Sequence, residues 1–284
     1  MGRITKTLAL AMLLASFVTP PSAQAADRAP RATGCAAFGS ADWWGPQRLG
    51  PLGKAWPLTS GDRPAWNAHK ARVTPARDGP VVEVVYPEGS INPGNPRAPV
   101  GGLGFLDRLP SGEGRAGCLS YEVRFQPGFA FGKGGKLPGL WGGHSVAGCA
   151  KRTDGGFSTR FMWNRHGQGF VYAYLADRDS RCGESIGFQR GQKRINFTPG
   201  KWHRLEQLVA LNTPGRADGV LQVWFDGELM IDQRNVLYRE SDRVRIDGLM
   251  FSTFFGGSSK GNASPQWQKS WFRGFEYRRL GRRG

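Results

Sequence analysis

The chain has 284 residues, 39 of them Lys or Arg against 22 Asp or Glu, a formal charge of +17. With 39% apolar and 12% aromatic residues it carries too much apolar and ring surface for a disordered basic tail, so it folds. Its 42 Gly and 19 Pro favour frequent turns over long helices and exclude a helical bundle.

At the start, Arg3 and Lys6 precede an apolar run over residues 8–18 and then Ala23-Gln24-Ala25, the pattern of a secretory signal cleaved near Ala25. The run is shorter than the roughly 20 residues that span a bilayer, and no later segment approaches that length. The sequence therefore predicts an exported protein, extracellular or periplasmic, with no membrane partner. Removing residues 1–25 takes away Arg3 and Lys6 and leaves 37 − 22 = +15, so the basic character belongs to the mature domain. Residues 26–34 read as a polar lead-in. Residues 26–79 are expected to hold this lead-in and the first strands of one domain, with its core over 80–284.

Beyond the lead-in, short β-like runs alternate with Gly, Pro, Asn and Asp. Residues 81–86 form one such run. Residues 119–125 alternate cleanly, with Leu119, Tyr121, Val123 and Phe125 on one face, as a half-buried strand requires. Residues 201–211 and 219–225 follow. The second of these meets 228–231 across Asp226-Gly227, a dipeptide suited to a tight hairpin turn. Residues 248–255 and 271–280 complete the set. Strands at this spacing in one domain predict two packed antiparallel sheets, an all-β sandwich or jelly roll.

Four cysteines, Cys35, Cys118, Cys149 and Cys182, all lie in the exported portion, where an oxidising compartment favours two disulfides. A bridge from Cys149 to Cys182 would brace the polar segment described next, leaving Cys35 for Cys118. No CxxC spacing occurs and the histidines at 69, 144, 166 and 203 are scattered, so no metal site is expected. A structural calcium is not indicated, since no loop of the DxDxDG type is present, and no cofactor is expected.

Three segments place polar or ionisable residues where strands should be bland. Residues 132–143 set Lys136 between glycines that let backbone approach a ligand and the apolar Leu137-Pro138. In residues 157–163, Ser158 and Arg160 share a strand face, and in 170–175, Tyr172 and Tyr174 do the same. The connecting stretch 164–169 would let the last two segments pair as a hairpin and project Ser158, Arg160 and the two tyrosines onto one concave surface. Trp141, His144 and Trp163 lie beside this set in sequence and are read either as lining ligand subsites or as buried packing for the tryptophans and a structural hydrogen bond for His144.

The pattern GGKLPGL, then SxR twenty-two residues after the lysine and YxY twelve residues after the arginine, resembles the polysaccharide lyase family 14 signature of alginate and polyglucuronate lyases. Residues 202–212, 223–227 and 252–257 are also similar to that family and to the glucuronan lyases. The resemblance implies a β-jelly-roll enzyme that cleaves an acidic polysaccharide by β-elimination, using Lys136, Ser158, Arg160, Tyr172 and Tyr174. That reaction asks for such residues. Taking the C5 proton of a uronate builds charge onto a carboxylate that is already anionic, and the planar fork of Arg160 is suited to hold it. A base must take that proton and an acid must protonate the departing O4. Free Tyr and Lys titrate at about 10 and 10.4, and neighbouring positive charge is expected to lower both. The sequence does not divide the roles among Lys136, Tyr172 and Tyr174.

Two other classes fit the sandwich less well. A glycoside hydrolase needs a pair of carboxylates, and no E-x-D-x-x-E run is present. A glycan-binding module would share the charge and the rings but form no double bond. The charge would also attract nucleic acid, yet no nucleic-acid motif accompanies it, so the expected partner is an acidic polysaccharide held by a monomer. Arg278, Arg279, Arg282 and Arg283 form a terminal basic cluster, read either as a solvated end or as part of the field that draws the polymer in.

Overall fold

Strand alternation builds the core. In the strand Ala116–Phe125, Leu119, Tyr121, Val123 and Phe125 all point inward and are fully buried, while Glu122 and Arg124 between them face out. This is a computed structural model, describing residues 34–281 apart from 44, 47, 57, 59–64, 110–112, 145, 150–154 and 192. The signal segment 1–25, most of the lead-in, and Arg282 and Arg283 lie outside the described residues.

In chain order the strands are Asp42–Trp43 (β1), Gly50–Pro51 (β2), Arg72–Ala76 (β3), Gly79–Tyr86 (β4), Leu103–Arg108 (β5) and Ala116–Phe125 (β6). Next come Gly134–Gly143 (β7), Gly156–Asn164 (β8), Gly169–Tyr174 (β9), Glu184–Gly187 (β10), Gln189–Arg190 (β11) and Lys193–Arg194 (β12). Then follow Trp202–Ala210 (β13), Gly219–Phe225 (β14), Glu228–Val236 (β15), Gly248–Phe255 (β16) and Gln268–Arg279 (β17). One antiparallel sheet runs β15-β14-β13-β6-β17-β4-β3-β2, with β1 on β17. A second runs β10-β9-β8-β7-β16-β5, and β11 pairs with β12 alone. Helix among the described residues is limited to the α turn Leu52–Ala55 and short 3₁₀ turns, and none is long or apolar enough to cross a membrane.

The two sheets pack face to face through rings and a few cross-sheet hydrogen bonds. Phe125 of β6 meets Trp163 of β8 at 5.3 Å between ring centres, and Tyr121 meets Phe161 at 6.0 Å. Each such buried ring contributes about 1.5–3 kcal/mol through apolar area removed from water. Two of these bonds cross the interface: Thr159 donates to Gln207 Oε1 at 2.6 Å, and Tyr121 donates to the Pro138 carbonyl at 3.0 Å. The hairpin at Asp226-Gly227 forms with both residues at positive φ, 52° and 81°, as its tight turn demands. Cys35–Cys118 ties the turn Gly34–Ala37 to β6, and Cys149–Cys182 ties the loop after β7 to the loop after β9.

Candidate active site

The outer face of the six-stranded sheet carries the polar motifs, because β8 and β9 pair as a hairpin. Ser158 lies directly opposite Tyr174, and Arg160 opposite Tyr172. The neighbouring β7 slips register between Lys136 and Gly139, a bulge that returns Lys136 to the outer face although Leu137 and Leu140 both enter the core. Gly139 sits beside Arg160, and there the strands run so close that a Cβ would fall 2.0 Å from the Thr159 carbonyl oxygen. With no side chain at Gly139, the Arg160 guanidinium reaches across β7 to β16, where Nη1 donates to Ser252 Oγ at 3.4 Å.

Lys136, Arg160, Tyr172 and Tyr174 line one groove of about 750 Å³. The Lys136 ammonium nitrogen stands 4.5 Å from the centre of the Tyr172 ring and 5.9 Å from that of Phe254. The two tyrosine rings meet edge to face at 5.4 Å, and the Arg160 guanidinium lies 5.9 Å from the Tyr174 ring. Both hydroxyls are held by backbone: Cys149 N–H donates to Tyr174 and Gly183 N–H to Tyr172, each at 3.0 Å.

Burial, and after it the charge of Arg160, draws the Lys136 pKa down to about 7. Tyr172 goes the other way. Burial and the neighbouring Tyr174 push it up to about 12, outweighing the Gly183 N–H and Arg160, which pull it down. The nearby positive charge acts in the expected direction on this tyrosine, but burial of its phenol and the neighbouring Tyr174 outweigh it. Among the described residues, no Asp or Glu lines the groove.

The family model for polysaccharide lyase 14 matches residues 74–275. The chain belongs to the polysaccharide lyase 14 family. Solved structures agree with this lyase assignment. A marine PL-14 alginate lyase from Aplysia kurodai is similar at 30% identity and a TM-score of 0.63, over 76% of this chain and 89% of that one. An alginate lyase from Chlorella virus is similar at 27% identity and a TM-score of 0.64, over 74% and 89%. Alginate lyase Aly36B shares the fold, with a TM-score of 0.68 at 23% identity over 85% and 97%. No curated protein matches.

Four residues expected in the lyase's site sit elsewhere. Ser158 is on the right face but fully buried, its hydroxyl donating to the Val146 carbonyl at 2.8 Å, so it anchors the loop over β7 and β8 rather than meeting a sugar. Trp163 points into the core, where its Nε1 donates to Phe131 O at 3.0 Å. Trp141 faces outward yet is fully buried, packed with Leu106 and Met250 and capped by the Arg108 guanidinium at 5.5 Å. His144 is exposed past the end of β7 and is not among the groove residues. In their place the groove is walled by Trp66, Asn92, Met250, Ser252 and Phe254. Ser252 and Phe254 alternate with core residues along β16 and were readable from that pattern, whereas Trp66 and Asn92 arrive from distant loops with no local signal.

Proposed function

We propose that this lyase depolymerises an acidic polyuronate by β-elimination at the Lys136–Arg160–Tyr172–Tyr174 cluster, after export through its signal segment. The two disulfides support an oxidising destination. One observation carries the reading: a lysine whose pKa is drawn to about 7 shares a groove with an arginine, and no carboxylate lines that groove among the described residues.

In this mechanism Arg160 holds the uronate carboxylate and neutralises the charge that grows on it. Lys136, whose lowered pKa gives it a neutral fraction near pH 7, takes the C5 proton, and the electron pair of that C–H bond moves into the carboxylate as an enolate. Collapse of the enolate forms the C4–C5 double bond and breaks the bond from C4 to the glycosidic oxygen. Tyr172, kept protonated by its raised pKa, gives its proton to that oxygen. The proton on Lys136 then restores the tyrosine through solvent. Tyr174, against Arg160, orients the clamp and the neighbouring ring. Ser158 supports the site through the loop it anchors.

The test is turnover of a panel of uronic-acid polymers, alginate first because similar solved structures are alginate lyases, then glucuronan. The expected result is rising ultraviolet absorbance from unsaturated ends. New reducing ends without that absorbance would mean hydrolysis. Retention of polymer with neither signal would mean a binding module.

A further inference from the structure

We infer that the Cys149–Cys182 bridge is a positioning device for the two groove tyrosines, which it holds through one backbone N–H on each of its flanks. The inference rests on the reading of Tyr172 and Tyr174 as site residues. Cys149 itself donates to the Tyr174 hydroxyl, and Gly183, next to Cys182, donates to the Tyr172 hydroxyl, both at 3.0 Å. The bridge therefore joins the two donors covalently, across 33 residues of sequence.

The surroundings fit a clamp and not a mere staple. Gly183 is pressed between the rings, and a Cβ there would fall 2.9 Å from Tyr174 and 3.0 Å from Tyr172. Cys149 holds a φ of 56°, which a non-glycine residue keeps only when its neighbours impose it. Behind it, the Ser158 hydroxyl fixes the same loop at Val146, and Ala147, Gly148 and Cys149 form part of the groove wall. On the other flank, the buried Arg178 donates to the Leu175 carbonyl at 3.0 Å and lies 5.1 Å from the Tyr174 ring. A phenol that accepts a backbone N–H is fixed in place with its own proton turned elsewhere, the state required of a proton donor to a leaving oxygen. Without the bridge, two surface loops would have to supply these donors independently, at an entropy cost. The other bridge differs: Cys35 and Cys118 are fully buried in a cluster of their own with Leu208 and Trp224.

The double variant Cys149→Ala/Cys182→Ala tests this. A misplaced proton donor is expected to lower kcat on polyuronate by about tenfold to a hundredfold. KM should stay within about twofold, since Arg160 still meets the carboxylate. Added to Tyr172→Phe/Tyr174→Phe, bridge removal should cost little more, because it acts through those two hydroxyls. A kcat close to the parent's, or losses that multiply in full with Tyr172→Phe/Tyr174→Phe, would overturn the inference. Should the double variant fail to fold, opening the bridge in the folded parent with a thiol reductant, to which the fully buried Cys35–Cys118 is less accessible, changes no side chain: lowered kcat at constant KM supports the clamp, and unchanged kcat removes it. Amide hydrogen exchange at Gly183 reads the clamp without turnover and so separates its failure from failure of the lyase reading. Protection there should fall about tenfold or more when the bridge is removed, and unchanged protection would show that the bridge holds nothing.

Discussion

The two outer faces of the sandwich carry the same residue types and put them to different use. On the nine-stranded sheet, Arg124 is stacked between Trp202 and Trp271, 4.9 and 4.8 Å from their ring centres. Beside it Arg273 meets Glu122 at 2.7 Å and Asp78 at 2.9 Å, and Lys269 meets Glu83 at 2.9 Å. Every cation of that second group faces a carboxylate. In the groove on the six-stranded sheet, Lys136 and Arg160 stand among tyrosines with no carboxylate in the lining, among the described residues. Basic and aromatic residues together therefore do not mark a site. What marks it is a lysine and an arginine lining one groove with two tyrosines, a basic concave surface with room for an anion to enter from outside.

The contrast is broken most strongly by Lys136→Ala. Removing the proposed base should lower kcat on polyuronate by about a thousandfold, the scale of a general acid–base contribution, with far-ultraviolet circular dichroism unchanged. Arg160→Lys keeps the charge but loses the planar fork, and kcat/KM should fall about a hundredfold. Ser252→Asp would put a carboxylate into the groove lining. An anion beside Arg160 weakens substrate binding and favours the protonated lysine, so kcat/KM should drop about tenfold. The pH profile reports the same change. The parent's kcat/KM should climb about tenfold per pH unit below about 7 and level off above it, following loss of the Lys136 proton, and in Ser252→Asp that break should move to higher pH. Smallest is Arg273→Ala on the opposite face: about 1 kcal/mol of stability, or about 2–4 °C in Tm, with kcat untouched.

Much of the fold was legible because alternation is a direct readout of two-sided strands. Leu119 to Phe125 and the Asp226-Gly227 turn needed no tertiary knowledge. The same rule placed Arg160 with Ser158 and Tyr172 with Tyr174, and it also spoke against Trp163, which counts onto the side of Phe157 and Phe161 and lies in the core with them. Ser158 and Trp141 escaped the rule. Their face was right, but a face says nothing of what lies on top, and here the loop through Val146 reaches Ser158 while Leu106 and Met250 pack on Trp141. Tyr172 was misjudged for a related reason: the sequence shows its charged neighbours but not how much water its ring gives up.

Lys136 owes its side of the sheet to the slip in β7. Counted in strict twos it would fall with Leu140, an amine thrust into the oily interior. The slip is pinned from across the sandwich, where Tyr121 donates to the carbonyl of Pro138, inside the irregular stretch. A phenol on the opposite sheet thus keeps the Lys136 amine on the groove side, and the two layers behave as one mechanical part.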